Sequence, residues 1–278
     1  MTTETPALSA VPSTLRIPLA ARALGGQLFP GMALDDRYAA EALARMGDDG
    51  SQWLHDRPSI YGTLARTRRF RDQARDFVAR HPDALVVNLG CGLSDYLQWI
   101  DNEHLRMIDA DLPEVMTIRR EILPPRHERH VLAEFDLTAP DWWDTLDLPA
   151  SREAAPVFLM SEGVFMYLQP ATVSAVLATF GERAPAGSVL TFDAMCWLAM
   201  GRAKYHTSVK HTDAEFRWGP RKLTDITAPH PRLVMQAAYQ VMGDYNLFYK
   251  LLQPVFKAVT GVPFYAVYTV TARDAMQA

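Results

Sequence analysis

Between residues 84 and 193 the chain alternates short apolar runs with longer segments of helical period. The apolar runs cover residues 84–89, 105–108, 130–135, 156–160 and 188–192. Short runs in which apolar and β-branched residues predominate are typical of strands buried on both faces. The segments between them are long enough to cross over and start a parallel neighbour. The pattern predicts an α/β fold of the Rossmann-like kind, with a mostly parallel sheet and helices on both faces.

The residues that follow these predicted strands are polar or glycine. The first strand runs into Gly90-Cys91-Gly92, and the other four end at acids: Asp109 and Asp111, Asp136, Glu162, and Asp193. In an open parallel sheet, ligands bind outside the carboxyl ends of the strands. This edge is therefore the candidate site, with simple capping as the alternative for Asp193.

The glycine pair Gly90 and Gly92 permits a ligand to approach the backbone closely, although a purely structural turn is an equal alternative. Asp95 stands where a dinucleotide-binding loop has its third glycine. Its side chain hinders close packing, and its charge disfavours a pyrophosphate. The loop thus favours a nucleoside cofactor without phosphates over NAD or FAD.

Each remaining candidate has a chemical role and a structural alternative. Asp109 and Asp111 lie ~20 residues after the first glycine, the interval for an acid that binds a ribose, or they belong to a solvated loop. Asp136 suits an adenine amino group or a helix N-cap. Glu162 is expected over the middle of the sheet, in a position to face the ammonium group of a ligand. Arg66 suits the free carboxylate of a ligand, with a simply solvated arginine as the alternative. Ribose, adenine, ammonium and carboxylate without phosphate describe S-adenosylmethionine (SAM).

Several segments, taken in order, resemble a known family. They are 35–39 (DDRYA), 65–72 (ARTRRFRD), 89–93 (LGCGL), 109–113 (DADLP), 136–137 (DL) and 161–168 (SEGVFMYL). Together they resemble the leucine carboxyl methyltransferase family, in its bacterial branch of polyketide-type (tetracenomycin-type) O-methyltransferases. The resemblance spans roughly residues 15 to 271, and the ordered set is more specific than any single motif.

The resemblance implies a class I SAM-dependent methyltransferase fold, with seven strands of which the last is antiparallel. It implies that Arg66 binds the methionine carboxylate and that Gly90 lies under the methionine. Asp111 would hold the ribose, with Asp109 as its neighbour or substitute. Asp136 and Leu137 would flank the adenine, and Glu162 would help to hold the methionyl end. The sequence departs from the family pattern at two places, the first bearing on the N-terminal lid and the second on fine contacts of the cofactor. Arg37 replaces the usual proline, and Ser94-Asp95-Tyr96 replaces Asp-Thr-Arg after the glycine loop.

We expect one domain over residues 15–278, preceded by a flexible tail over residues 1–14. Within the domain, residues 15–63 form a helical lid, with the first helix broken at Gly25-Gly26. Residues 195–231 form an irregular, substrate-capping insert after the fifth strand.

The acceptor side is less defined by the sequence. His206 and His211, in the insert, are candidate general bases because histidine titrates near neutral pH, and surface histidines are the alternative. Tyr167, Tyr205 and Trp218 are candidates for lining the acceptor pocket, with core packing as the alternative for Tyr167.

The predicted activity is SAM-dependent O-methylation of a small-molecule hydroxyl or carboxyl group in secondary metabolism. The same site also suits N-, S- or C-methylation, or a SAM-assisted rearrangement without transfer. Methylation of a protein C-terminal carboxyl group and a binding protein that only keeps the fold are further alternatives.

The composition of the chain excludes several classes of binding partner and of site. The formal charge is -4, without the basic excess typical of nucleic-acid binding. Two cysteines cannot form a disulfide framework or a four-thiolate zinc site, and no metal is expected. No apolar run is long enough to span a membrane, and the N-terminus lacks an apolar signal core. These features predict a cytoplasmic protein; the oligomeric state stays open, with a homodimer as one candidate.

Overall fold

Seven strands form one sheet in the computed structural model, which describes residues 13–149, 151–203 and 214–274. The strands are β1 Leu85–Leu89, β2 Arg106–Asp111, β3 His130–Glu134, β4 Phe158–Ser161, β5 Val189–Met195, β6 Leu233–Gln240 and β7 Tyr265–Ala272. Their order in the sheet is β3-β2-β1-β4-β5-β7-β6. β7 is antiparallel to both of its neighbours, while the other described pairings are parallel. The predicted class I methyltransferase fold is confirmed.

Nine α-helices are present in the described residues. They are α1 Ser13–Leu28, α2 Arg37–Arg45, α3 Arg57–Arg80, α4 Leu97–Ile100, α5 Pro113–Ile122, α6 Trp142–Thr145, α7 Pro170–Arg183, α8 Thr224–Thr227 and α9 Leu247–Thr260. No helix within the described ranges is long and apolar enough to cross a membrane.

The sheet separates two apolar cores, as expected for strands buried on both faces. Val87 of β1 packs in one core with Phe180 of α7. Its neighbour Val86 points the other way and packs with Phe77 of α3. All five residues of β1 are buried, so the β-branched run is dictated by packing on both sides.

The N-terminal helices pack at the carboxyl edge of the sheet. α1 continues through Gly25 and Gly26 instead of breaking there, so that expectation is wrong. A Cβ on Gly25 would lie 2.8 Å from Leu64 Cδ1 and 3.0 Å from Ile60 Cγ2. Gly25 is therefore selected for the close approach of α1 to α3. α2 begins after Asp36, whose carboxylate caps the helix.

The strand order reverses between β1 and β4, which pair side by side while their next connections run outward in opposite directions. A crevice forms at such a point because the loops after the two strands diverge. After β5 the chain forms a short 3-10 turn, Trp197–Ala199, and then α8. Residues 204–213 of the predicted capping insert lie outside the described residues.

Candidate cofactor cleft

A cleft of about 450 Å³ lies at the carboxyl ends of β1 to β4, within the size range of small-molecule sites. Its walls come from α1, α3, the loops after the four strands and Ala214. Of the sequence-predicted site residues, the structure brings Arg66, Gly90, Gly92, Asp111, Asp136, Leu137, Glu162 and Tyr167 to this cleft.

Glu162, directly after β4, is held by three donors from two elements. Its Oε1 accepts from Arg66 Nε at 2.8 Å and from Thr67 Oγ1 at 2.7 Å, and its Oε2 accepts from the Tyr96 hydroxyl at 2.5 Å. Burial opposes the charge, but the guanidiniums of Arg66 and Arg22 and the two hydroxyl donors outweigh it. The pKa of Glu162 therefore lies below its usual range, and the carboxylate is ionised.

Arg66, on α3, joins Glu162 to a second buried acid. Its Nη1 lies 3.4 Å from Asp193 Oδ2 and donates to the Tyr265 hydroxyl at 2.9 Å. Tyr265 in turn donates to Asp193 Oδ2 at 2.6 Å, and the Gly163 amide donates to Oδ1 at 2.6 Å. Burial raises the pKa of Asp193 despite these partners. Among the described residues, Nη2 of Arg66 has no hydrogen-bond partner, so one face of the guanidinium remains available.

The loop after β1 gives the cleft its floor. Gly90 has φ +72°, and a Cβ there would lie 2.5 Å from Val164 Cγ2. A side chain at this position would therefore both strain the backbone and collide with Val164 of the loop after β4. The amides of Gly90 and Cys91 donate to the Ala110 carbonyl at 2.8 and 3.1 Å, which fixes the loop to β2.

Asp111 and Asp136 line the far part of the cleft. Asp111 accepts from the backbone amides of Gly92 at 2.7 Å and Leu112 at 2.8 Å, and burial raises its pKa despite these bonds. Asp136 is exposed and its Oδ1 accepts from the amide and hydroxyl of Thr138 at 2.8 and 2.7 Å. That bonding closes a local turn and is not the expected helix N-cap, because the next helix, α6, begins at Trp142; it leaves Oδ2 of Asp136 without a hydrogen bond among the described residues.

Asp109 does not line the cleft, so the structure separates it from Asp111. Its side chain is fully buried, and its Oδ2 binds Arg119 of α5 and His130 Nε2, the latter at 2.8 Å. Oδ1 accepts from Asn88 Nδ2 at 3.0 Å. Neighbouring strands and α5 enclose this acid, which explains why it cannot reach a ligand. Arg119 also donates to the carbonyls of Gly92 and Ser94, at 2.9 and 2.7 Å.

The residues predicted for the acceptor side differ in where the structure places them. Trp218 is only 9% exposed and packs against Phe165 and Phe192, so it belongs to the core and does not line the cleft. Tyr167 does line it, against Phe216. The other acceptor-side candidates, Tyr205, His206 and His211, lie outside the described residues.

Sequence reasoning did not identify Thr67, Tyr96 and Tyr265 as part of the site. Thr67 directly follows Arg66, and Tyr96 follows the glycine loop, so both lay inside segments already singled out. Tyr265 had no local signal, because the antiparallel direction of β7 is what carries its first residue to the cleft edge. Arg22 of α1 also lines the cleft and donates to Asp36 at 2.9 Å and to the Leu93 carbonyl at 2.8 Å.

The donors and acceptors of the cleft fit SAM. The ionised Glu162 and the free face of Arg66 stand together, as an amino acid's ammonium and carboxylate require. Asp111 and Asp136 supply acceptors for hydroxyl and amino groups, and the same two acids disfavour a pyrophosphate. Gly90 lines the cleft and has no side chain, so a ligand can approach its backbone closely.

Comparison with known proteins supports this assignment. A model of the leucine carboxyl methyltransferase family matches residues 13–181. The chain is 33% identical over 242 residues to the tetracenomycin polyketide synthesis O-methyltransferase TcmP of Streptomyces glaucescens, covering 87% of each protein. It is 34% identical over 178 residues to the SAM-dependent methyltransferase dpfgK of Gibberella zeae, covering 58% of this chain and 57% of that one.

Solved structures share the fold. A Thermobifida fusca protein assigned to the methyltransferases superposes with a TM-score of 0.61 at 17% identity, covering 99% of this chain and 100% of that one. A DUF574 family protein from Streptomyces avermitilis gives 0.57 at 14% identity, covering 93% and 96%. The family match and the TcmP alignment together extend over most of the chain, and the cleft carries the matching chemistry. The chain therefore belongs to the leucine carboxyl methyltransferase family and is a SAM-dependent methyltransferase.

Proposed function

We propose that the protein transfers the methyl group of SAM to an oxygen, hydroxyl or carboxyl, of a small molecule of polyketide-like secondary metabolism. The observation that carries this is the Arg66–Glu162 pair, open on one face to a cleft with no cation cluster for phosphate among its described residues. The likeness to TcmP over 87% of both chains supports the acceptor class.

The cofactor-site residues have distinct proposed roles. Arg66 would hold the methionine carboxylate through Nη2, and Glu162 would accept from the ammonium. Asp111 would accept from the ribose hydroxyls, and Asp136 with Leu137 would flank the adenine. Gly90 and Gly92 would form the floor under the methionyl and ribose parts. When bound, SAM would supply an electrophilic methyl group on its sulfonium, and the demethylated thioether would be the leaving group when the acceptor oxygen bonds to that carbon.

The chain's own contribution is to hold the two reactants in line and to keep water out. Apolar side chains of α1 and the β4 loop close the cleft, among them Leu15, Pro18 and Val164. Tyr167 lines the same cleft, near Arg66 and Asp193. Burial raises the pKa of Tyr167 to about 12, so its hydroxyl stays protonated and acts as a hydrogen-bond donor to the acceptor.

The need for a base depends on the acceptor. A carboxylic acid is already ionised at neutral pH, whereas a phenol with a pKa of about 10 gains from a general base. No histidine among the described residues lines the cleft. We therefore retain His206 and His211 as proposed bases, to act when the acceptor is a phenol or an alcohol.

Calorimetric titration with SAM tests the cofactor site. The wild-type protein is expected to bind with a Kd on the order of 10 μM, and Arg66→Met is expected to lower the affinity at least tenfold. Arg120→Met is the matched control, because Arg120 forms an exposed ion pair with Glu134 away from the cleft. Equal affinities of the wild type and Arg66→Met would refute the assigned role of Arg66.

Mass spectrometry tests the reaction. Incubation with SAM and a panel of aromatic carboxylic acids and phenols is expected to give a methyl ester or ether together with demethylated SAM. Methylation at nitrogen, sulfur or carbon would change the acceptor class. Rearrangement without demethylated SAM, or methylation of a phosphatase C-terminal peptide alone, would contradict the proposal.

The domain and partner expectations also remain proposals. We keep a single domain over residues 15–278, with residues 15–63 as a lid and 195–231 as the acceptor cap, although α1 begins at Ser13, before the expected boundary. A small-molecule acceptor follows from methyltransferase activity. The lack of a nucleic-acid partner and a cytoplasmic location are proposed from composition alone.

A further inference from the structure

α9, which connects β6 to β7, exposes a continuous apolar face. Six of its large apolar side chains are between 40% and 80% exposed: Leu247, Phe248, Leu251, Leu252, Val255 and Val259. We call these six residues the α9 stripe. The helix is anchored from its other side by Gln253, which is buried, and by Phe256, whose ring contacts Phe264 at 5.6 Å between centroids.

The residues of the α9 stripe are spaced as in a helix that packs along one side against another helix. From Phe248, the stripe continues three, four, seven and eleven residues later, so its members lie on one side of the helix. Lys250 and Lys257, the charged residues of α9, fall on a different side. A side of this kind, uncharged and ridged at intervals of three and four residues, is the shape that a second helix packs against.

Elsewhere in the described residues, large apolar side chains exposed by more than a third are scattered. They are Leu112, Val131, Met200 and Tyr239, on four different elements or loops. Single exposed apolar residues need no partner, whereas a contiguous patch marks an interaction surface. The concentration of six such residues on one 14-residue helix is therefore a feature of α9 and not of the surface in general.

We propose that the α9 stripe is a homodimer interface, in which the α9 helices of two copies pack antiparallel across a twofold axis. Counting about 100 Å² of apolar surface for each fully exposed side chain and scaling by exposure, the stripe presents roughly 400 Å² per copy. Self-pairing buries it twice, about 800 Å² in total, which is below the roughly 1,200 Å² of standard interfaces and therefore predicts a weak dimer.

Two features favour a second copy over a lipid surface. A twofold contact places the same patch on both sides, and this patch carries no charge that would repel itself. A peripheral membrane helix, in contrast, combines its apolar face with a cluster of four or more basic residues. α9 has two lysines, and the whole chain has a net charge of -4.

Sedimentation velocity over a wide protein concentration range tests the interface. The wild type is expected to dimerise with a Kd on the order of 1–100 μM, since the buried area is at the low end. Leu251→Glu combined with Val255→Glu is expected to be monomeric throughout. Val131→Glu is the matched control, because Val131 is 49% exposed on β3, at the opposite edge of the sheet. Unchanged SAM binding shows that the double variant folds.

Crosslinking tests the twofold geometry. Under mild oxidation, Leu252→Cys, near the middle of the stripe, is expected to form a disulfide-linked dimer, while Val131→Cys is not; the native cysteines, Cys91 and Cys196, are both buried. A wild type that stays monomeric at every concentration overturns the proposal. If that monomer co-sediments with phosphatidylserine vesicles and the double variant does not, the stripe is a lipid-binding face. Dimerisation that survives the double variant places the interface elsewhere.

Discussion

Arg66 and Arg119 each bind a buried carboxylate near the carboxyl edge of the same sheet, yet their surroundings differ. The cluster of Arg119 with Asp109 has no exposed side-chain surface, and strands on both sides of Asp109 contribute partners. The cluster of Arg66 with Glu162 stands at the strand reversal, and its arginine side chain is 13% exposed toward the cleft. An acid at the end of a strand can thus reach a ligand only where its neighbours leave a side open.

The closed cluster is expected to give the largest effect on stability. Arg119→Met leaves Asp109 buried without its counter-charge, so the free energy of unfolding should fall by about 3–5 kcal/mol. Urea denaturation measures it. Arg66→Met should cost clearly less, because water in the cleft replaces part of the lost guanidinium. Equal losses in the two variants would show that the two clusters do not differ in solvent access.

The open cluster is expected to give the largest effect on binding. Glu162→Gln keeps the shape of the side chain but removes its charge, so SAM affinity should fall about 100-fold, equivalent to ~2.7 kcal/mol. Calorimetry measures it. Glu134→Gln is the control, because Glu134 pairs with Arg120 on the surface. A change of less than threefold for Glu162→Gln would remove Glu162 from the cofactor site.

Gly163→Ala is expected to disturb the open cluster without changing its charge. The position has φ +73°, and a Cβ would lie 3.2 Å from Arg66 Nη2, which the ion pairs hold in place. Backbone strain should lower the free energy of unfolding by about 1–2 kcal/mol, and SAM affinity should fall as well. Thermal unfolding and calorimetry check the two effects. Wild-type affinity in this variant would mean that Arg66 can shift without loss of its role.

The pH dependence of SAM affinity should show the smallest effect, and it separates two acids of the cleft. Burial raises the pKa of Asp111, whereas the guanidiniums lower that of Glu162 despite burial. As pH falls, Asp111 is therefore protonated first, and affinity should decline by less than tenfold while Glu162 is still ionised. Asp111→Asn should remove this first decline and keep the one at lower pH. A single decline, identical in both proteins, would contradict the order.

Much of the fold was predictable because each signal was local. The β1 run is apolar at every position except Asn88, and it is buried at every position. The extent of α1 was not predictable, since the packing of Gly25 against Leu64 depends on a helix some forty residues further along the chain. Local propensity favoured a break there, and tertiary contact overrode it.

The site was predictable where chain order alone determines position. Glu162 follows β4, which borders the reversal, and Asp111 ends β2, the neighbour of β1, so both reach the cleft. The prediction that Asp109 belongs to the site failed, because the strand pattern does not reveal that Arg119 and His130 enclose this acid. The prediction that Trp218 lines the acceptor pocket failed. Its packing partners, Phe165 and Phe192, come from distant segments, so the local sequence does not show that Trp218 belongs to the core. The roles assigned to individual cofactor contacts stay predictions until binding is measured.

The reversed direction of β7 has a consequence for biosynthesis. Tyr265, which completes the contacts of Arg66 and Asp193, is the first residue of that final strand. A nascent chain still attached to the ribosome contains α3 and β5 long before it contains Tyr265. Asp193 and Arg66 must then wait, incompletely bonded, until β7 has emerged. Premature termination anywhere before this tyrosine yields a protein whose methyl-donor pocket is never finished.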